Sequence, residues 1–127
     1  MEEALIAHLL ATSALAALIG TRLYPGSRPQ GGTLPAITMN VISSTPGYSD
    51  DGEDGIQEDR VQFDCWGNTY TSAKTVAREV INSISAYQGG IFLYITLELQ
   101  HDIREGGTDD AEYPFRTSMD FIVTYRS

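Results

Sequence analysis

Between Asp50 and Asp59 the chain places six carboxylates in ten positions, Asp50, Asp51, Glu53, Asp54, Glu58 and Asp59. Carboxylates at this density are the donors that hold a hard divalent cation. An EF-hand calcium loop, however, needs oxygen ligands at loop positions 1, 3 and 5, glycine at 6 and a bidentate glutamate at 12. Counted from Asp50, Asp54 and Gly55 fall at positions 5 and 6, but Gly52 stands at 3 and Val61 at 12. Without its bidentate ligand the run reads as a solvated hairpin tip rather than a metal site.

His101 beside Asp102 is the pair that a hydrolytic triad would use. A triad also needs a placed nucleophile and an oxyanion hole, and the chain holds neither a nucleophile-elbow motif nor a cluster of oxyanion glycines. Cys65 shares a strand face with Val61 and Phe63, which makes it a small core residue rather than a nucleophile. His8 falls at the boundary of a helical stripe. No catalytic residue, no cofactor and no metal ligand is expected.

Seventeen acidic against eight basic residues give a net charge of −9. Such a surface does not collect phosphate counterions, so nucleic-acid binding through a basic patch is disfavoured. A single cysteine excludes an internal disulfide framework and leaves no soft-ligand set for structural zinc. The apolar run from Ala4 to Ile19 opens on Glu2 and Glu3 and is interrupted by His8, Thr12 and Ser13, unlike a signal peptide or a membrane span. The expectation is one soluble domain over 1–127, not exported.

The elements that position these residues follow from periodicity. Residues 2–18 carry Leu5, Ile6, Leu9, Leu10, Ala14, Ala17 and Leu18 close to helical spacing, with a break expected near Thr12 and Ser13 and a stop at Gly20. Residues 21–34, with Pro25, Pro29, Gly26, Gly31 and Gly32, read as a long loop. Residues 35–44 alternate Ile37, Met39 and Val41 against Thr38, Asn40 and Ile42; residues 60–66 alternate Val61, Phe63 and Cys65 against Gln62, Asp64 and Trp66. These are two half-buried strands, and the acidic run joins them as a long hairpin tip.

A helix capped by Thr69 or Thr71 follows, with Ala73, Val76, Ala77, Val80, Ile81 and Ile84 on one stripe and Gly89 and Gly90 after it. Residues 91–99 alternate Ile91, Leu93, Ile95, Leu97 and Leu99 against Phe92, Tyr94, Thr96 and Glu98. Residues 116–125 alternate Thr117, Met119, Phe121, Val123 and Tyr125 against Ser118, Asp120, Ile122 and Thr124. The order predicts an α+β fold, a four-stranded, mainly antiparallel sheet with two helices packed on one face. The loop 100–115 holds Asp102, Glu105, Asp109, Asp110 and Glu112, and the two acidic loops would sit at opposite ends of the sheet.

The other sheet face would present Ile42, Trp66, Phe92, Tyr94 and Ile122 among polar neighbours. A solvated face rarely carries so many large apolar groups, so it is either covered by the 21–34 loop or is a subunit interface with aromatic anchors and a polar rim.

Four segments, taken in order, carry a family resemblance: "EEALIAHLLATSALAALIGTRLYPG", "LPAITMNVIS", "EDRVQFDCWGNTYTSAKTVAREVINSI" and the closing "RTSMDFIVTYR". Over nearly its whole length the chain resembles the phage tail-completion proteins, also described as tail-to-head joining or tail terminator proteins, of tailed phages and gene transfer agents. The resemblance implies a virion protein assembled in the host cytoplasm, a ring-forming subunit, usually six copies, at the head-proximal end of the tail tube. It implies as partners the tail tube protein and a neck or head-completion protein, with DNA passing through the ring unbound and no membrane. It transfers no catalytic residue.

A closed ring needs two different patches that meet on neighbouring subunits. The expected first patch is a sheet edge with the Trp66, Phe92 and Tyr94 face; the second is the 21–34 loop or the first helix. Asp50, Asp51, Glu53 and Asp54 on one loop and Asp109 and Asp110 on the other are the residues expected to face the channel, an axial neighbour, the tube or the neck. The rival readings are another neck or tail-tube component, an acidic DNA mimic and, third, a small hydrolase.

Overall fold

The computed structural model describes residues 1–29, 32–50, 52–104 and 115–126, with the side chains of 49, 53, 103 and 104 outside that description. The element order is α1 (Glu2–Ala11), α2 (Ser13–Ile19), β1 (Leu23–Pro25), β2 (Ala36–Ser49), β3 (Gly52–Gly67), α3 (Tyr70–Ile84), β4 (Phe92–Arg104) and β5 (Phe115–Arg126). The class is α+β as expected, but among the described residues the sheet has five strands in the order β1-β2-β3-β5-β4, and there are three helices. The sheet is mixed, because β1 pairs parallel to β2 while the other three pairings are antiparallel. The extra strand comes from the stretch read as a loop. Leu23, Tyr24 and Pro25 pair with Ile37, Thr38 and Met39, too short a run to show alternation.

The N-terminal helix breaks where Thr12 and Ser13 suggested. Thr12 leaves helical geometry (φ −76°, ψ 109°), and the axes of α1 and α2 differ by 89°. The bend lets both pieces bury their leucines, Leu5 and Leu9 on α1 and Leu15 with Ile19 on α2. The Thr12 hydroxyl lies 2.7 Å from that of Ser83, and His8 Nε2 lies 3.1 Å from the Ser83 carbonyl, so the bend is fastened to α3. On α3 the Thr69 hydroxyl accepts from the Ser72 amide at 3.1 Å, and Ala73, Val76, Ala77, Val80 and Ile84 are buried.

One apolar cluster joins the helices to one face of the sheet, through Ile37, Met39, Phe63, Ile95, Met119, Phe121 and Val123. The phase of β4 departs from simple alternation. Its register shifts between Phe92 and Tyr94 and again between Leu97 and Leu99, so that Phe92 lies opposite Tyr125 and Leu99 opposite Asp120. Each β-bulge inserts one residue and exchanges the faces beyond it. Phe92 is therefore in the core at 5% exposure, which corrects its expected place on the open face, while Leu99 takes a place there at 52%.

Candidate functional site

The hairpin carrying the acidic run is longer than alternation indicated, since β2 and β3 pair from Ala36 with Trp66 out to Ser49 with Gly52. β5 ends with Arg126 opposite Ile56. Beyond that point the two strands form an arm, pairing only with each other among the described residues. Positive φ at Gly52 (112°) and Gly55 (80°) lets the tip turn, as glycine allows. Asp54 Oδ1 accepts from the Ile56 amide at 2.9 Å, and its carboxylate lies over Gly47, where an added Cβ would come within 2.5 Å of it.

Asp50 and Asp54 are exposed on this arm, and Glu53 pairs through its backbone with Tyr48. Asp51, Asp109 and Asp110 lie outside the described residues. Arg104 and Phe115, which flank the second acidic segment, pair with each other at the Gly67 end of the sheet, away from Asp50. Asp59 departs from a solvated tip. It is 3% exposed on the core side, accepts from the Tyr125 hydroxyl at 2.9 Å and is bonded by Ser44.

Trp66 is on the open face but is not a free anchor. Two guanidinium groups lie over its ring, Arg28 at 4.7 Å and Arg116 at 5.1 Å from the centroid, and its Nε1 donates to Thr38 Oγ1 at 3.2 Å. Cation–π contacts of this kind are worth roughly 0.5–2 kcal/mol each. Arg28 comes from the segment after β1, so that segment covers this end of the face, and Thr38, Asp64 and Ser118 are buried. Farther along, Ile42, Tyr94 and Leu99 are exposed with Ile122 among them, and Arg60 reaches Asp120 at 3.1 Å and Glu98 at 3.9 Å. This uncovered half has the apolar centre and charged rim of an interface.

A second surface was not foreseen. Between α3 and β4 lies a groove of about 510 Å³ lined by Tyr70, Thr71, Lys74, Arg78, Ile81 and Gln100 among others. Lys74 Nζ sits 2.9 Å from Asp102 Oδ2, and Thr117 Oγ1 donates to Asp102 Oδ1 at 2.9 Å. Burial pushes the Asp102 carboxyl up, but the bonds from Lys74 and Thr117 outweigh it and hold it below the usual range. The bond to Asp102 in turn raises the Lys74 ammonium. The sequence signal was available, since Lys74 and Arg78 stand four apart on a helix in a strongly acidic chain.

Among the described residues, the groups that could do chemistry are held apart. Cys65 is fully buried, and burial followed by the charge of Asp64 pushes its thiol far from the reactive thiolate form. His101 is exposed on β4 opposite Ser118, and Asp102 is engaged by Lys74 and Thr117 rather than by a histidine. Among the described residues no group of three or more His, Cys, Asp or Glu is placed to hold a metal ion.

The chain is a small α+β fold whose notable surfaces are an acidic arm, a half-covered apolar sheet face and a cationic groove. Residues 3–125 match the model of one family, described as tail completion protein gp17, and the chain belongs to that family. It is thus a structural protein of a phage-type tail. No curated protein matches the sequence. Among solved structures the fold is similar to a chain described as "Virion of native gene transfer agent (GTA) particle", at TM-score 0.69 and 17% identity, covering 97% of this chain and 92% of that one.

Proposed function

We propose that the chain forms a closed ring, with six copies, at the head-proximal end of the tail tube, where it ends tube growth and joins the tail to the neck. The observation that carries this reading is the match of residues 3–125 to tail completion proteins. The similar fold of a chain from a gene transfer agent virion supports a place in a particle. The partners on this reading are other copies of the chain, the tail tube protein and a neck or head-completion protein.

Physical chemistry supports the same role. A heterologous ring contact needs two unlike patches, and the acidic arm, the uncovered sheet face with Tyr94 and Leu99, and the α3–β4 groove all differ in kind. A net charge of −9 per copy repels the DNA backbone, which favours passage through the ring over retention. Microscopy of particles lacking this protein tests the reading. Tails of uncontrolled length, or finished tails unattached to heads, are expected; normally joined particles would remove the role.

A further inference from the structure

The groove beside α3 carries two cations in a chain that is otherwise acidic, and of these only Lys74 is paired with a carboxylate among the described residues. The other described cations are mostly occupied: Arg22 donates to the carbonyls of Pro35 and Leu18, Arg28 and Arg116 lie over Trp66, and Arg60 meets Asp120 and Glu98. Arg126 is exposed at the arm's own end of the sheet. Arg78 is exposed on the groove wall and meets no carboxylate among the described residues. Lys74 is bound to Asp102 and lies 5.6 Å from the centre of the Tyr70 ring, which at 53% exposure adds an aromatic wall.

We propose that this groove receives the acidic β2–β3 arm of a neighbouring copy of the same chain, with Asp50 and Asp54 set against Arg78 and Lys74. The proposal rests on the ring reading above. The arm cannot reach its own groove. It leaves the sheet at the pairing of Ile56 with Arg126, whereas Gln100 on the groove wall lies opposite Met119. Seven residues of β5 separate these levels, about 23 Å, and the order β2-β3-β5-β4 sets the nearer arm strand, β3, about 10 Å from β4 across the sheet, by roughly 3.3 Å per residue and 4.8 Å per strand.

A rotation that carries the β2 side of one copy to the β4 edge of the next brings unlike, oppositely charged patches together. That is the heterologous contact from which a ring closes. An arm paired backbone to backbone as far as Ser49 and Gly52 also loses less freedom on docking than a loose loop would. A nucleic-acid phosphate is the rival occupant of a cationic groove, but the surrounding charge of −9 opposes it.

Disulfide trapping tests the contact. Asp50→Cys and Thr71→Cys place thiols on the exposed arm and on the groove wall, and the native Cys65 is buried and does not compete. Under mild oxidation the doubly substituted chain should give a covalent ladder up to the ring size. A mixture of the two singly substituted chains should stop at dimers, and either alone should give none. Arg78→Glu should weaken assembly by about tenfold, with an effect that shrinks at high salt.

Oligomers that assemble in light scattering without any cross-link would overturn this contact and leave the ring reading standing. If those oligomers retain duplex DNA in an Arg78-dependent manner, the groove belongs to phosphate. A chain that stays monomeric even with tail tubes present would overturn the ring reading itself, and the contact with it.

Discussion

The Tyr125 hydroxyl donates to Asp59 at 2.9 Å, where the carboxylate is 3% exposed, so two neighbouring strands share a buried polar link beside an otherwise apolar core. Ser44 holds the other carboxylate oxygen. Removing one partner leaves a buried group short of a bond, so Tyr125→Phe should destabilise the chain by about 1–3 kcal/mol. Combined with Asp59→Leu, part of that loss should return, because no buried carboxylate is then left waiting. Urea midpoints of the single and double variants decide this; equal loss in both would contradict it.

The same link fixes a direction in pH. Burial, then the bond to Asp59, pushes the Tyr125 phenol up to about 12, from an unfolded value of about 10. Between those values the folded chain keeps a proton that the unfolded chain has lost, so this contribution to stability falls as pH rises through the window. Tyr125→Phe should flatten that alkaline limb. An unchanged slope would show that other groups produce it.

Lys74 and Asp102 act with opposite signs at opposite ends of the pH scale. Asp102 is held low, so its share of stability is present above about pH 4 and lost as pH falls through the folded value. Lys74 is held high, so its share is present below about pH 10.4 and lost above its folded value. Both side chains are about a third exposed, at 30% and 38%, which limits the pair to about 1 kcal/mol. Asp102→Asn should lower the urea midpoint slightly near neutrality and show no difference in acid. A gap that persists in acid would point to a cause other than charge.

Gly67 is the joint between β3 and α3. A Cβ there would come within 2.6 Å of the Ala73 amide nitrogen and 2.9 Å of the Ser72 Cβ. Since one of these atoms is backbone in the first turn of α3, the helix would have to move off the strand end. Gly67→Ala should cost about 1–3 kcal/mol, the usual scale of overpacking, measured by thermal or urea unfolding. An unaffected variant would mean that this end of the helix is loosely held.

Much of this architecture was legible because burial imposes period. The α3 stripe, the alternation of Met119, Phe121 and Val123, and the break at Thr12 all follow from residues that must face one core. β1 escaped because three residues ending in Pro25 show no period. The outer halves of β2 and β3 escaped because their pairing is held by backbone bonds between polar residues, which leave no hydrophobic trace. Asp59 was misread with its neighbours because charge density conceals that one carboxylate turns inward. The α3–β4 groove needs two elements distant in sequence, and only the fold brings Gln100 beside Arg78.

Phe92 and Leu99 exchange the faces that alternation assigns them, and this separates folding from assembly. Phe92 fills the core at 5% exposure and contacts Tyr87 edge-on at 5.9 Å, so Phe92→Ala should cost about 3–5 kcal/mol of stability. Leu99 and Tyr94, at 52% and 44% exposure, lie on the surface of the isolated chain. Leu99→Ser and Tyr94→Ser should change its stability by no more than about 0.5 kcal/mol. If the uncovered face is an interface, the same two changes should weaken oligomers by about tenfold or more, as loss of apolar groups at an interface centre does. Unfolding curves and light scattering on the three variants test both halves. Serine variants that assemble as well as the parent chain would remove this face from the ring contact, and a tolerant Phe92→Ala would contradict the bulged register of β4.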